Sequence, residues 1–248
     1  VSKPTSRLLK VIRKEYVTAN MLRVTLGGKA LAGFPEGQEG GYIKFIFPTT
    51  DGSRLMRTYT IRQQRQHELD VDFALHGDSG VACLWALHTQ TGDQIQVGGP
   101  GPKKRISESA DWMIFVGDMT SLPAISVNLA NLPSESKGYA ILEVQTEADI
   151  QTLQKPDDIE LKWIINPNPG QDSQSLLEHL KTLKWLDGNV AIWAACEFSS
   201  MRALRAFFKE RSDVEKGNLY ISSYWKHGLN EDQHKIEKRE DLDKNDAV

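Results

Sequence analysis

At 248 residues the chain is long enough for two ordinary domains, each with its own core. With 25% charged and 40% hydrophobic residues and no apolar run of membrane-spanning length, its composition is that of a soluble globular protein. A net charge of -3 gives no overall pull toward nucleic acid or acidic lipid, so any anionic ligand has to be held by a local basic patch.

The opening Val1-Ser2-Lys3-Pro4-Thr5-Ser6 is polar, and no secretory signal is visible. Cys83 and Cys196 match no metal-ligand spacing, which fits two incidental thiols in a reducing compartment, with the cytoplasm expected. Up to about Gly101 the chain reads as short strands separated by turns. Leu22, Val24 and Leu26 share one face, as do Ile43, Phe45 and Phe47, and Leu69, Val71, Phe73 and Leu75 repeat the alternation. Gly27-Gly28, Gly40-Gly41, Asp51-Gly52, Gly77-Asp78 and Gly92-Asp93 supply the turns, and short strands at this spacing predict an antiparallel barrel or sandwich. A small-residue loop from Gly77 runs into a short helix over 81–89, whose first amides are placed to cradle a phosphate.

Within this region, Arg57-Thr58-Tyr59-Thr60-Ile61-Arg62 puts two guanidinium groups, a phenol and two hydroxyls into six residues. Arginine forks grip phosphate oxygens, and a tyrosine offers a flat face. A pyrophosphate joined to a flat ring system would use both, so a dinucleotide such as a flavin is the ligand to test. An exposed edge strand carrying solvated arginines is the competing reading.

Gly98-Gly99-Pro100-Gly101-Pro102 marks a boundary, after which the hydrophobic period changes. Trp112-Met113-Ile114-Phe115-Val116 reads as a buried parallel strand, followed by Gly117-Asp118 and a helix over 121–132. Further strands are predicted over 140–144, 161–165, 190–195 and 219–222, with helices over 175–183 and 200–211, an α/β layout. Ligands of such sheets sit at the carboxyl ends of the strands, here Asp118, Thr120, Cys196 and Glu197. No G-x-G-x-x-G is present, and helix capping is the alternative role for Asp118 and Glu197. The segment 230–240, acids first and bases later with one apolar residue, predicts a solvent-facing helix that packs lightly. The expected division is 1–105, 106–228 and a helical tail over 229–248.

Taken together, Arg57-x-Tyr59-Thr60-x-Arg62, Asp72-Phe73-x-Leu75-His76-Gly77, Trp85-Ala86, Gly117-Asp118-x-Thr120-x-Leu122-Pro123-Ala124, Trp193-Ala194-Ala195-Cys196-Glu197 and Tyr224-Trp225 follow one family's pattern in order. The chain resembles the siderophore-interacting proteins, flavin-dependent ferric-siderophore reductases of the ferredoxin-NADP reductase superfamily. The resemblance implies an antiparallel Greek-key barrel holding FAD and an α/β domain with a parallel sheet admitting NADH, NADPH or a ferredoxin. Arg57 would then hold the pyrophosphate, Tyr59 lie against the isoalloxazine ring and Thr60 hydrogen-bond near its reactive nitrogen. Thr58, Arg62, Asp72, Phe73, His76, Gly77, Gly80, Val81, Ala82, Trp85 and Thr120 would complete the flavin site. Strict alternation puts Thr60 on the face opposite Arg57 and Tyr59, so it needs a bend or an edge position. Asp118, Cys196 and Glu197 would meet the nicotinamide, with Cys196 standing where similar proteins have glycine.

The expected activity is FAD-mediated reduction of chelated Fe(III) to Fe(II), with no protein ligand for the metal. A loaded siderophore is often anionic, so Lys44, facing away from the Ile43 and Phe45 side, Lys103, Lys104, Arg105 and Lys226 are the candidate substrate contacts. His227 and His234 are lone histidines without an assigned role. A monomer is expected, without nucleic-acid or membrane partners. A general flavin reductase or electron-transfer protein, and a non-enzymatic siderophore-binding protein, are the alternatives.

Overall fold

The computed structural model describes residues 6–49, 52–75, 80–229 and 231–246, with side chains as far as residue 243. Its contacts divide into two units. One runs to Arg105 and takes in Ser126–Asn128; the other holds Ile106–Ile125 and continues from Leu129.

The first unit contains β1 (Arg7–Thr18), β2 (Met21–Gly27), β3 (Tyr42–Pro48), β4 (Arg54–Thr60), β5 (Gln63–Arg65), β6 (Glu68–Ala74), α1 (Val81–His88) and β7 (Gln94–Gly101). The strands form one antiparallel sheet in the order β4-β3-β7-β1-β2-β6-β5. Its two edge strands, β4 and β5, are consecutive in the chain. Ile61 N donates to Gly41 O before β3, and Arg62 N donates to Asp70 O on β6, so neighbouring residues bond toward both edges and curl the sheet into a half-barrel.

Period-2 alternation fills the concave side with Leu9, Val11, Leu22, Val24, Leu26, Ile43, Phe45, Leu69, Val71, Phe73 and Val97. Each such side chain contributes about 1.5–3 kcal/mol by leaving water. The intervening residues of β6 face outward into ion pairs: Asp72 with Arg23 at 2.6 Å, Asp70 with Arg65 at 2.6 Å and Glu68 with Arg13 at 2.8 Å.

In the second unit, β8 (Trp112–Gly117), α2 (Leu122–Ala130), β9 (Gly138–Val144), β10 (Ile159–Ile165), α3 (Ser175–Lys181), β11 (Val190–Glu197), α4 (Phe198–Lys209), β12 (Leu219–Trp225) and α5 (Glu231–Asp246) follow in order. The strands are parallel and ordered β10-β9-β8-β11-β12. Trp112, Ile114, Val116, Tyr139, Ile141, Ile192 and Ala194 pack against α3 and α4 residues Leu176, Leu180, Met201, Leu204 and Phe208. No helix among the described residues is long and apolar enough to cross a membrane. Both cysteines are free and buried.

α5 departs from the expectation of a lightly packed, solvent-facing helix. Its apolar Ile236 is 61% exposed, whereas His234 is 4% exposed. Polar side chains do the docking. Ser223 Oγ and His234 Nε2 are 2.8 Å apart, Lys238 Nζ donates to Ser222 Oγ at 2.7 Å and Ser223 O at 2.8 Å, and Asp241 accepts from Arg205 at 2.6 Å. Hydrophobic patterning cannot detect a face made of charges.

Candidate functional site

Arg57, Tyr59 and Thr60 lie on β4, an edge strand paired only with β3, and Arg62 lies at the corner that follows. Arg57 is in register with Phe45 and Tyr59 with Ile43, so both point toward the concave side and are partly exposed. Thr58, in register with Lys44, has the opposite parity and is exposed. Thr60 also has that parity but is the last residue of β4, immediately before the corner.

Tyr59 stands on a rigid aromatic bed. Its ring centroid is 4.3 Å from Phe73 and 5.5 Å from Phe45, and Trp85 of α1 packs on Phe45 at 5.3 Å. Beneath it, the Tyr59 hydroxyl is 3.8 Å from Cys83 Sγ, which donates to Ala74 O at 3.4 Å. Burial pushes the Cys83 thiol up, so it is a packing group and not a thiolate.

Arg62 is partly buried, and its guanidinium has no hydrogen-bond or ion-pair partner among the described residues. Burial lowers its pKa, ahead of the opposing pull of Asp72. Helix α1 begins after its N-cap Gly80, and no side chain among the described residues caps it, so the amides of Val81, Ala82 and Cys83 lack that partner there. An orphaned guanidinium and an uncapped helix start on the same unit as a half-exposed tyrosine fit a ligand carrying both a pyrophosphate and a flat ring.

Other predicted flavin contacts are placed differently. Asp72 is buried on the outward parity of β6 and engaged by both nitrogens of the Arg23 fork, at 2.6 and 2.8 Å. Phe73 is fully buried under Tyr59. His76 and Gly77 lie outside the described residues.

In the second unit the chain order reverses between β8 and β11, the switch point at which such sheets bind ligands. Asp118 follows β8 and is buried. Its Oδ1 accepts from Thr120 N at 2.9 Å and Thr120 Oγ1 at 2.6 Å, and its Oδ2 accepts from Glu197 N and Trp225 Nε1, both at 2.8 Å. Glu197 caps α4 by accepting from Ser199 N and Ser200 N, and it also accepts from His227 N at 3.2 Å. Glu197 therefore caps α4, whereas Asp118 ties the loop after β8 to the carboxyl ends of β11 and β12 across the switch point. Gly117 is required here, because a Cβ would stand 2.1 Å from Ser121 Oγ. Cys196 is fully buried, and burial followed by Asp118 and Glu197 holds its thiol well above the ordinary range.

The predicted basic contacts have mixed surroundings. Lys44 is partly exposed on β3, and Lys103, whose Cγ approaches Gly41, donates to Gly37 O. Lys104 and Arg105 are exposed, and Arg105 donates weakly to Val127 O at 3.5 Å. Lys226 is ion-paired with Glu237 of α5 and lies over the Phe198 ring at 4.8 Å.

One titratable group escaped sequence reasoning. Glu143, the penultimate residue of β9, is 7% exposed. Burial, then Asp118, pushes its carboxyl up to about 7. The available signal was a lone charge inside the apolar run Tyr139-Ala140-Ile141-Leu142-Glu143-Val144.

The sequence matches the siderophore-interacting protein model over residues 110–228 and the siderophore-interacting FAD-binding domain model over residues 10–55 and 49–104. The chain belongs to the siderophore-interacting protein family. It is 36% identical to the ferric vibriobactin reductase ViuB of Vibrio cholerae, over 96% of this chain and 95% of that protein. It is 26% identical to the NADPH-dependent ferric-chelate reductase of Escherichia coli, over 88% and 92% of the two chains. The solved siderophore-interacting protein SipS from Aeromonas hydrophila superposes with a TM-score of 0.86 at 29% identity, covering 97% of this chain and 99% of that one. The curled antiparallel sheet is thus a siderophore-interacting FAD-binding domain, followed by the α/β half of the same family.

Proposed function

We propose that this siderophore-interacting protein is a ferric-siderophore reductase, with FAD in the first unit and NAD(P)H as electron donor. Held in the first unit, FAD would supply the coupling between a two-electron hydride donor and one-electron reduction of Fe(III). Oxygen ligands that suit Fe(III) hold Fe(II) less tightly, so reduction frees the metal without any protein ligand. Consistent with this, no group of histidine, cysteine and acidic side chains that could hold a metal occurs among the described residues.

In this reading each residue takes a role that its position allows. Arg57 and Arg62 take the pyrophosphate, supported by the first amides of α1, and Tyr59 carries the ring on its bed of Phe73, Phe45 and Trp85. Thr60, at the corner, reaches the ring edge. Lys44, Lys103, Lys104, Arg105 and Lys226 supply positive charge for an anionic chelate. Asp118, Cys196 and Glu197 shape the donor side, with both carboxylates acting through the loops they hold and Cys196 as packing. The reading includes a monomer working in the cytoplasm.

The observation that carries it is the Arg62 guanidinium, three residues after Tyr59 and without a hydrogen-bond or ion-pair partner among the described residues, inside a segment that matches a siderophore-interacting FAD-binding domain. The test is an anaerobic visible spectrum of the purified protein, reduced by a nicotinamide nucleotide and then mixed with ferric hydroxamate or ferric catecholate chelates. Flavin reoxidation with Fe(II) trapped in equivalent amount is expected. A protein that binds ferric chelates but carries no flavin would sink the reading and leave a binding protein.

A further inference from the structure

Next to the switch point, the carboxyl end of β9 holds an incomplete polar arrangement. Among the described residues the Glu143 carboxyl has no ion-pair partner; Asp118 and Asp172 oppose its charge, and Asn166 and Ser175 favour it. Asn166 Nδ2, from the loop after β10, is buried and lies near enough to Glu143 to favour its charge, yet it has no partner at hydrogen-bond distance among the described residues. An under-coordinated carboxyl beside an unsatisfied amide donor is costly unless a ligand supplies the missing partners. A vicinal diol does so, because each hydroxyl both donates and accepts.

Position and charge narrow the ligand. In open α/β sheets that bind dinucleotides, an acidic side chain some twenty residues past the first strand's turn recognises the ribose 2′-hydroxyl, while a nearby arginine accommodates a 2′-phosphate. Glu143 has the acidic placement, on the second strand of the sheet. The segments that leave the carboxyl ends of the strands here, 118–121, 145–154 and 166–174, contain Asp118, Glu147, Asp149 and Asp172 and neither lysine nor arginine; Lys155, farther along the connection to β10, donates to Pro156 O and Asp157 O. A 2′-phosphate would enter this edge as a dianion with no counter-charge.

Resting on the reading of this chain as a nicotinamide-driven reductase, we propose that the carboxyl end of β9 is its donor-selecting subsite. Glu143 and Asn166 take the hydroxyls of an adenosine ribose, so NADH is accepted and NADPH is turned away. In this the chain differs from the Escherichia coli relative, whose name specifies NADPH.

The test uses the flavin-loaded full chain. Mixed anaerobically with limiting NADH or NADPH, its flavin should bleach at least ~10-fold faster with NADH, a difference of about 1.4 kcal/mol. A readout independent of turnover is calorimetric titration with 5′-AMP and with adenosine 2′,5′-bisphosphate, the second expected to bind at least ~10-fold more weakly. The Glu147→Arg and Gln145→Arg substitutions add the missing counter-charge at exposed or partly exposed positions, and together they should bring the two donors within about 3-fold of each other. Equal or better reduction by NADPH in the parent protein, or equal affinity for the two adenosine nucleotides, overturns the proposal. If neither nucleotide bleaches the flavin but the dithionite-reduced protein still reduces ferric chelates, donor selection falls and the reductase reading stands. If the dithionite-reduced protein leaves ferric chelates unreduced, both fall.

Discussion

Arg62 and Arg57 are two residues of one motif with different costs in the absence of ligand. Arg57 donates to Met56 O at 3.0 Å, whereas Arg62 keeps a partly buried charge without a partner. Removing a buried charge that nothing compensates relieves a desolvation cost. Arg62→Leu is therefore expected to leave the melting temperature of the flavin-free protein unchanged or higher while weakening FAD by ~10-fold or more, the loss of about one charge-assisted hydrogen bond. Arg57→Ala should weaken FAD at least as much; full FAD occupancy in that variant would disprove the pyrophosphate clamp. Glu143 makes a pH prediction at the same scale. Its folded-state value of about 7 lies above the unfolded value of 4.5, so its favourable contribution is complete below pH 4.5 and disappears as pH rises through 7. Glu143→Gln should match the parent in denaturant melts near pH 4 and exceed it by roughly 2–3 kcal/mol near pH 8. A difference that stays constant across that range would show that the carboxyl titrates normally.

Among the elements, α5 is the one whose attachment depends on protonation. His234 is held down to about 4 by burial first, then by Lys238 and Lys226, with Glu237 opposing and Lys235 adding to the effect. A base whose folded value is depressed contributes stability above its unfolded pKa of 6.5 and loses it as pH falls toward 4. By pH 5 the helix should be weakened by about 2 kcal/mol. Hydrogen exchange in α5, corrected for its intrinsic pH dependence, should accelerate between pH 7 and 5 relative to β8, and protection that stays level would refute the coupling. The contrast with β8 is physical: β8 is bonded on both sides within the sheet and buried throughout, while polar side chains of α5 hold it to Ser222, Ser223, Arg205 and Lys226.

For the whole molecule, the two units have separate cores, and the proposed FAD site draws its arginines, tyrosine and helix start from the first. FAD at about 100 times its dissociation constant should add about 2.7 kcal/mol to whatever unfolds with that site. In calorimetry of the full chain, FAD is expected to move the transition that includes the curled sheet upward. A profile unchanged by saturating FAD would mean that the site is elsewhere or absent.

The sequence by itself determined the two architectures and the β4 motif. Period-2 runs such as Leu22-Val24-Leu26 and the continuous run Trp112–Val116 report directly on whether one or both faces of a strand are buried. β1 carries no such signal, because Lys10, Arg13, Lys14 and Glu15 interrupt its alternation, and its pairing with both β2 and β7 is a long-range fact. Only the tertiary structure decided that Asp72 belongs to Arg23, that Asp118 and Glu197 serve backbone amides, that Arg62 is left without a partner, and that α5 turns its histidine inward and its isoleucine outward. Residue type limits what a polar side chain can bond. Which partner it meets depends on groups dozens of residues away, brought there by the packing of apolar faces.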